Sequence, residues 1–174
     1  GGTASGAWLV TGGLGGLGLR GAALLASRGA SRLVLTSRSG LVARGGQGLE
    51  ASLRAVGVSG GSTTVVACDG GDAAEAAALV ALVRPTGVLH AAGVLLDKML
   101  RSMTTDDIHA VCAPKALATS HVQAMAVHMT LDAIGLFSSV ASTFGNVGQA
   151  NYAAANAYLD ALARSRRHHG SLVT

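Results

Sequence analysis

Aromatic side chains are scarce in this sequence: two Phe, two Tyr and one Trp among 174 residues. Cysteine and proline occur twice each, and only 13% of positions carry charge. With so few rings, the apolar share of 49% falls to small residues, chiefly Ala, Val and Leu, beside 25 glycines. That much apolar side chain excludes a disordered chain. The length suits one domain with one buried core. No uncharged apolar run approaches the ~20 residues that a bilayer core requires, so no membrane span is expected. Cys68 and Cys112 are too few for a disulfide framework, and no third or fourth ligand stands at zinc spacing, so no metal site is expected. They read as free core thiols in a reducing cytosol, which places the chain in the cytoplasm. There is no initiator Met and no signal peptide, so the chain reads as a piece of a longer polypeptide.

Lys and Arg number 13 against 9 Asp and Glu, a formal charge of +4. This allows an acidic partner or a phosphate ligand, but the cations form no stripe, and nucleic acid is not expected. Only Arg164, Arg166, Arg167, His168 and His169 cluster. They fall at the end of a predicted helix, where cations offset the negative end of the macrodipole; a binding patch is the alternative.

Strands alternate with helices, the pattern of a parallel sheet with crossover helices. The predicted strands are Ala7–Thr11, Arg32–Ser37, Thr63–Cys68, Gly87–Ala91 and Ala133–Ser138. The predicted helices are Leu17–Arg28, stopped by Gly29, and a weak one over Leu49–Val56. A third, Ala73–Val83, is capped by Asp72 and closed by Pro85. A long helical region, Asp107–Val127, is kinked or split by Pro114. Ala150–Arg167 forms the last helix, and Val173-Thr174 would begin a sixth strand.

Thr11-Gly12-Gly13-Leu14-Gly15-Gly16-Leu17-Gly18 lies between the first strand and the first helix. Glycines there let backbone approach a pyrophosphate, and the helix start offers free N–H groups to anionic oxygens. Two registers fit: Gly13, Gly15 and Gly18 as G-x-G-x-x-G, or Gly12, Gly16 and Gly18 as T-G-x-x-x-G-x-G. After the second strand, where an NAD site usually places an acid, stand Ser37, Arg38 and Ser39. Arg38 offers a fork of donors to a 2′-phosphate, and the two hydroxyls add neutral hydrogen bonds. NADPH is therefore the expected cofactor; the alternative for Arg38 is a solvated surface residue.

These segments resemble the ketoreductase domain of modular polyketide synthases and of the related animal-type fatty acid synthase, within the short-chain dehydrogenase/reductase superfamily. The resemblance extends to Cys68-Asp69, His90-Ala91-Ala92-Gly93-Val94, Ala113-Pro114-Lys115 and Leu136-Phe137-Ser138-Ser139-Val140-Ala141. Its most specific part is Gly148-Gln149-Ala150-Asn151-Tyr152-Ala153-Ala154-Ala155-Asn156-Ala157. It runs in order along essentially the whole chain. It implies a Rossmann-like doubly wound parallel sheet with the cofactor at the carboxyl ends of the strands. Residues 1–174 would then form an NADP-binding ketoreductase domain, C-terminally truncated, without the sixth and seventh strands and the substrate lid. The resemblance favours the register of Thr11, Gly12, Gly16 and Gly18. It sets Asp69 beside the adenine, with a turn-forming role as the alternative, and Ala91, Ala92 and Gly93 beneath the adenosine ribose.

Ketone reduction needs a proton donor at the carbonyl oxygen. A phenol's reference pKa of about 10 is too high for efficient exchange near neutrality, and a nearby ammonium favours the phenolate. Most short-chain reductases carry their Lys four residues after the Tyr; here that position is Asn156. The ketoreductase family shares this departure and takes its Lys from an earlier helix. The resemblance thus implies a catalytic set of Lys115, Ser139, Tyr152 and Asn156. Tyr152 would protonate the oxygen, and Ser139, at the end of the fifth strand, would polarise it. Lys115 would hold the ribose and act on the phenol, and Asn156 would support the proton relay. Each has a plainer alternative alone: surface charge, helix cap, core ring, polar helix residue.

Leu95-Leu96-Asp97 is similar to the Leu-Asp-Asp motif of one stereochemical class, with Leu at the middle position. Phe144 stands where the opposite class carries Trp, and Asn151 agrees with the first class, which implies a D-3-hydroxy product. The expected substrate is a β-ketoacyl group on the phosphopantetheine arm of an acyl carrier protein, with other synthase domains in the same polypeptide. A redox-silent structural module and a free-standing reductase or nucleotide-sugar epimerase are the competing functions; Asn156 departs from the pattern of the last two.

Overall fold

The computed structural model describes residues 4–43, 45, 47–58, 61–126 and 129–168. Five parallel strands form one sheet: β1 (Ala7–Thr11), β2 (Arg32–Ser37), β3 (Ser62–Ala67), β4 (Gly87–His90) and β5 (Ala133–Leu136). Their order is β3-β2-β1-β4-β5. The helices are α1 (Gly16–Ser27), α2 (Leu49–Val58), α3 (Ala73–Val83), α4 (Thr105–Cys112), α5 (Ala118–Ala126), α6 (Ala141–Phe144) and α7 (Ala150–His168). The doubly wound parallel sheet expected from the sequence is therefore present.

Neighbouring residues of a strand point to opposite faces, and here both faces are covered. Leu9, Val34, Val88 and Ile134 pack on one side with Leu79, Val80 and Val83 of α3 and Ala163 of α7. Val10, Leu33 and Leu35 pack on the other with Leu19, Ala22 and Ala26 of α1 and Val56 of α2. This explains why β1, β2 and β4 read as apolar runs rather than alternating ones.

The caps explain most boundaries. Gly29, at φ +92°, ends α1 after Arg28. The Asp72 carboxylate accepts from the N–H groups of Ala74 and Glu75 at 2.8 and 2.9 Å and starts α3. Arg84, in left-handed geometry at φ 44°, closes it ahead of Pro85. Pro114 does split the long helical region. Between α4 and α5 lies a π-turn, Ala113–Leu117. Proline has no N–H to donate and its ring crowds the carbonyl four residues back, and the wider turn accommodates both.

Some boundaries shift. β3 starts and ends one residue earlier than expected, and α4 begins at Thr105 because Thr104 and Asp107 form a reciprocal capping box. β5 ends at Leu136, so Ser139 stands beyond the strand rather than at its end. A 3-10 turn at Leu100–Ser102 and the four-residue α6 were not expected. Val127, His169 and the sixth strand expected at Val173-Thr174 lie outside the described residues. Arg166, Arg167 and His168 occupy the last turn of α7, as expected. Among the described residues no helix is long and apolar enough to cross a membrane.

Candidate active site

The chain leaves β1 toward β2 and β3, then returns through α3 to β4 on the other side of β1. This reversal opens a crevice at the carboxyl ends of β1 and β4, where ligands of doubly wound sheets bind. A cleft of about 860 Å³ lies there. Thr11, Gly12, Leu14 and Gly15 line it from the first loop; Ser37, Arg38 and Ser39 line it beyond β2. Asp69 contributes from the turn after β3, and Ala91, Ala92 and Gly93 from the segment after β4. Gly13, Gly16, Leu17 and Gly18 are not among the residues lining it, and neither are Lys115 and Tyr152, although Gly93 and Pro114 beside Lys115 are.

Gly12 has φ +67°, and a Cβ there would come within 2.5 Å of the Ala92 nitrogen. Only glycine fits both demands at this position. A Cβ at Gly13 would be comparably crowded, 2.7 Å from the Val10 carbonyl, and one at Gly16 would not be crowded, so close packing alone does not separate the two registers. The first turn of α1 has no side-chain cap and no acidic residue, so its N–H groups stay available to an anion. The Ser37 hydroxyl donates to the Leu41 carbonyl and Ser39 Oγ accepts from the Leu41 N–H, each at 3.2 Å. Both hydroxyls thus shape the loop that carries Arg38, whose exposed guanidinium has no ion pair among the described residues. Asp69 accepts from the Gly71 N–H at 2.9 Å, so it forms a turn while lining the cleft.

Lys115 projects from the π-turn and is only 3% exposed. Its Nζ donates to the Phe137 carbonyl at 2.9 Å and lies 5.5 Å from the centroid of the Tyr152 ring. A Cβ at Gly93 would press on Lys115 Cε at 2.9 Å, so this glycine makes room for the lysine. Burial lowers the Lys115 pKa to about 8, with the Asp160 charge opposing the shift. One turn along α7 from Tyr152, the fully buried Asn156 donates from Nδ2 to the Tyr152 carbonyl at 2.7 Å. Its Oδ1 is buried without a partner. Ser139 Oγ accepts from the Ala141 N–H at 3.2 Å at the start of α6. The structure therefore brings Lys115, Tyr152 and Asn156 together, while no hydrogen bond joins Ser139 to Tyr152.

Two residues at this site escaped the sequence reading. His90, 1% exposed, pairs through Nδ1 with Thr11 Oγ1 at 2.6 Å, tying β4 to the first loop. Burial, with the Lys115 charge added, lowers its pKa to about 3, so the ring is neutral. Asp160 accepts from the Ser142 hydroxyl at 2.6 Å. Among the described residues no cluster of three or more His, Cys, Asp or Glu is placed to hold a metal ion.

Residues 6–174 match the family model of the KR domain. The chain belongs to the KR domain family. These are the ketoreductase domains of polyketide synthases, in the short-chain dehydrogenase/reductase superfamily. The chain is 47% identical over 172 residues to polyketide synthase GfsA of Streptomyces halstedii, covering 97% of this chain and 2% of that protein. It is 42% identical over 175 residues to the mycoketide-CoA synthase of Mycobacterium tuberculosis, covering 96% of this chain and 4% of the relative. Among solved structures, the first ketoreductase of the tylosin PKS superposes with TM-score 0.88 at 39% identity, covering 99% of this chain and 38% of that one. An A-type ketoreductase from a modular polyketide synthase gives 0.85 at 44%, with 97% and 36% covered. The chain thus spans a few per cent of the curated relatives and little more than a third of these solved chains.

In this KR domain the residues singled out for stereocontrol have different surroundings. Asp97 accepts from Gln149 Nε2 at 3.2 and 3.1 Å, and the Lys98 N–H donates to the Gly148 carbonyl at 2.8 Å. The segment after β4 is thereby clamped to the loop that precedes Tyr152. Phe144 is 84% exposed. Asn151 is buried; its Nδ2 donates to the carbonyls of Leu96 and Asp107, and its Oδ1 accepts from the Tyr152 N–H. The Asn151 side chain is spent on seating the start of α7.

Proposed function

We propose that this KR domain reduces a 3-oxoacyl thioester on an acyl carrier protein to the 3-hydroxyacyl thioester, with NADPH, in polyketide or fatty acid biosynthesis. The observation that carries the proposal is the buried Lys115 ammonium 5.5 Å from the Tyr152 ring. With Asn156 in place of a lysine one turn beyond Tyr152, a cation from another element fulfils the same electrostatic task.

The cleft suits NADPH: uncapped N–H groups of α1 for the pyrophosphate, and the exposed Arg38 fork for a 2′-phosphate. Asp69 lies on the adenine side and Ala91, Ala92 and Gly93 on the ribose side. NADPH, once held by these residues, would supply the hydride that reduces the β-carbon. Tyr152 gives its phenolic proton to the oxygen as that carbon is reduced. Lys115 stabilises the phenolate left behind and also serves the ribose. The Ser139 hydroxyl, whose oxygen already accepts from Ala141, retains its proton to donate to the same carbonyl. Asn156 holds the Tyr152 turn and supports proton return.

Asp97, Asn151 and the absence of Trp at Phe144 support the D-3-hydroxy product, and chiral analysis yielding the L-alcohol would refute that part. The acidic carrier presents its phosphopantetheine-bound substrate, and other synthase domains share the polypeptide. The two free thiols suit a reducing cytoplasm. Tyr152→Phe is expected to keep the fold and NADPH binding while lowering β-ketothioester reduction at least about 100-fold. Undiminished NADPH consumption by that variant would remove Tyr152 from the proposal.

A further inference from the structure

Tyr152, Asn156 and Asp160 recur every four residues along α7 and share one face of it. The third of them has no part in the chemistry described so far. Its carboxylate Oδ2 lies 2.6 Å from Ser142 Oγ, which is also 2.7 Å from the Ser139 carbonyl. That carbonyl already accepts the Ser142 N–H at 3.0 Å. A hydroxyl has one proton to give, and the carboxylate is the stronger acceptor. The Ser142 proton therefore goes to Asp160 and pins α6 onto α7.

We infer that Asp160 is a positioning residue of the reductase site, one that fixes the turn carrying Ser139 and supplies negative charge toward the Lys115 ammonium. The inference rests on the reductase function proposed above and adds a residue to it. Asp160 stands on the helix that packs against both the α6 turn, which presents a hydroxyl, and the π-turn, which presents the cation. Its charge favours the ammonium of Lys115, against the burial that favours the neutral amine. The other titratable groups at Lys115 are His90 of β4, which is neutral, and Tyr152 itself. On α4, which also packs against α7, Asp107 is held by Lys98 at 2.6 Å.

The sequence contains two lysines, Lys98 and Lys115, so a chain labelled with ¹³Cε-lysine gives two resonances, assigned with Lys98→Arg. The full chain is titrated by NMR as wild type, Asp160→Asn and Ser142→Ala, and the same proteins are assayed with NADPH and a β-ketothioester. Asp160→Asn is expected to lower the Lys115 midpoint by about one pH unit. Its kcat should fall on the order of tenfold, most steeply at alkaline pH, where the amine loses its charge. Ser142→Ala, which removes the tether but keeps the charge, should leave the midpoint in place and lower kcat several-fold at every pH. An Asp160→Asn protein with the wild-type midpoint, or a Ser142→Ala protein with full kcat, overturns the inference. If Asp160→Asn does not fold, Asp160→Glu takes its place: wild-type midpoint with reduced kcat supports positioning, and unreduced kcat contradicts it. Wild type inactive on the thioester would count against the proposed function instead, while the titration still decides whether Asp160 acts on Lys115.

Discussion

Lys115 is held as a cation in a place that does not favour cations. It is almost fully buried, donates to the Phe137 carbonyl, and its pKa is lowered to about 8. A structural lysine gains little from such a position, and packed hydrophobic residues often replace buried charges without loss. The site therefore favours chemistry over stability at this residue. Arg38 illustrates the opposite case, an exposed charge with no ion pair among the described residues. Arg38→Ala is expected to raise KM for NADPH on the order of tenfold, to change kcat little and to leave KM for NADH nearly unaltered. Steady-state kinetics with both cofactors checks this; equal losses with both would remove the 2′-phosphate role. Both residues were visible in the sequence, Arg38 from its place after a strand and Lys115 only through family resemblance. Asp160 and His90 were not, because their partners Ser142 and Thr11 lie 18 and 79 positions away, and pairing across elements leaves no local pattern.

At the scale of elements, the starts of α3 and α4 are set by short polar caps, Asp72 and Thr104, rather than by apolar periodicity. Thr104 and Asp107 bond reciprocally at the start of α4, and Asp107 also binds Lys98. Thr104→Ala is expected to cost about 1 kcal/mol, a fall of roughly 2–4 °C in Tm for a chain of this size. Thermal unfolding followed by circular dichroism measures it, and an unchanged Tm would show that the box contributes nothing. β1, β2 and β4 were readable from their buried apolar runs, and the exposed edge strand β3 from its β-branched residues. Pro114 announced an interruption, but not that the interruption is a π-turn aiming Lys115 at α7. The 3-10 turn at Leu100–Ser102 and α6 were missed because three or four residues cannot show a helical period. Ser139 was placed at the end of β5 for the same reason, whereas it lies in the turn between β5 and α6 and accepts from the Ala141 N–H.

Over the whole molecule, reversal of strand order beside β1 gathers residues from both halves of the chain into one cleft, and two buried bases lie next to it. Both have folded-state pKa values below their ordinary ones, so in each window the unfolded chain binds more protons and stability rises with pH. For His90 the window runs from about 3 up to the ordinary 6.5, so its contribution is lost as acid is added through that range. For Lys115 it runs from about 8 to 10.5, where loss of the proton relieves an unfavourable buried charge. Urea unfolding across pH should show His90→Gln flattening the acidic slope and Lys115→Met flattening the alkaline one. Slopes unchanged by these substitutions would assign the pH dependence to other groups.

The most direct test of the Lys115–Tyr152 pair as reduction machinery is isotope transfer from NADPH deuterated at C4 of the nicotinamide, on the face that donates, into a β-ketothioester. Mass spectrometry of the product is expected to show one deuterium at C3 with the wild-type protein, and at least about 100-fold less labelled alcohol with Tyr152→Phe. Labelled alcohol formed equally by both proteins, or by neither, would contradict the account.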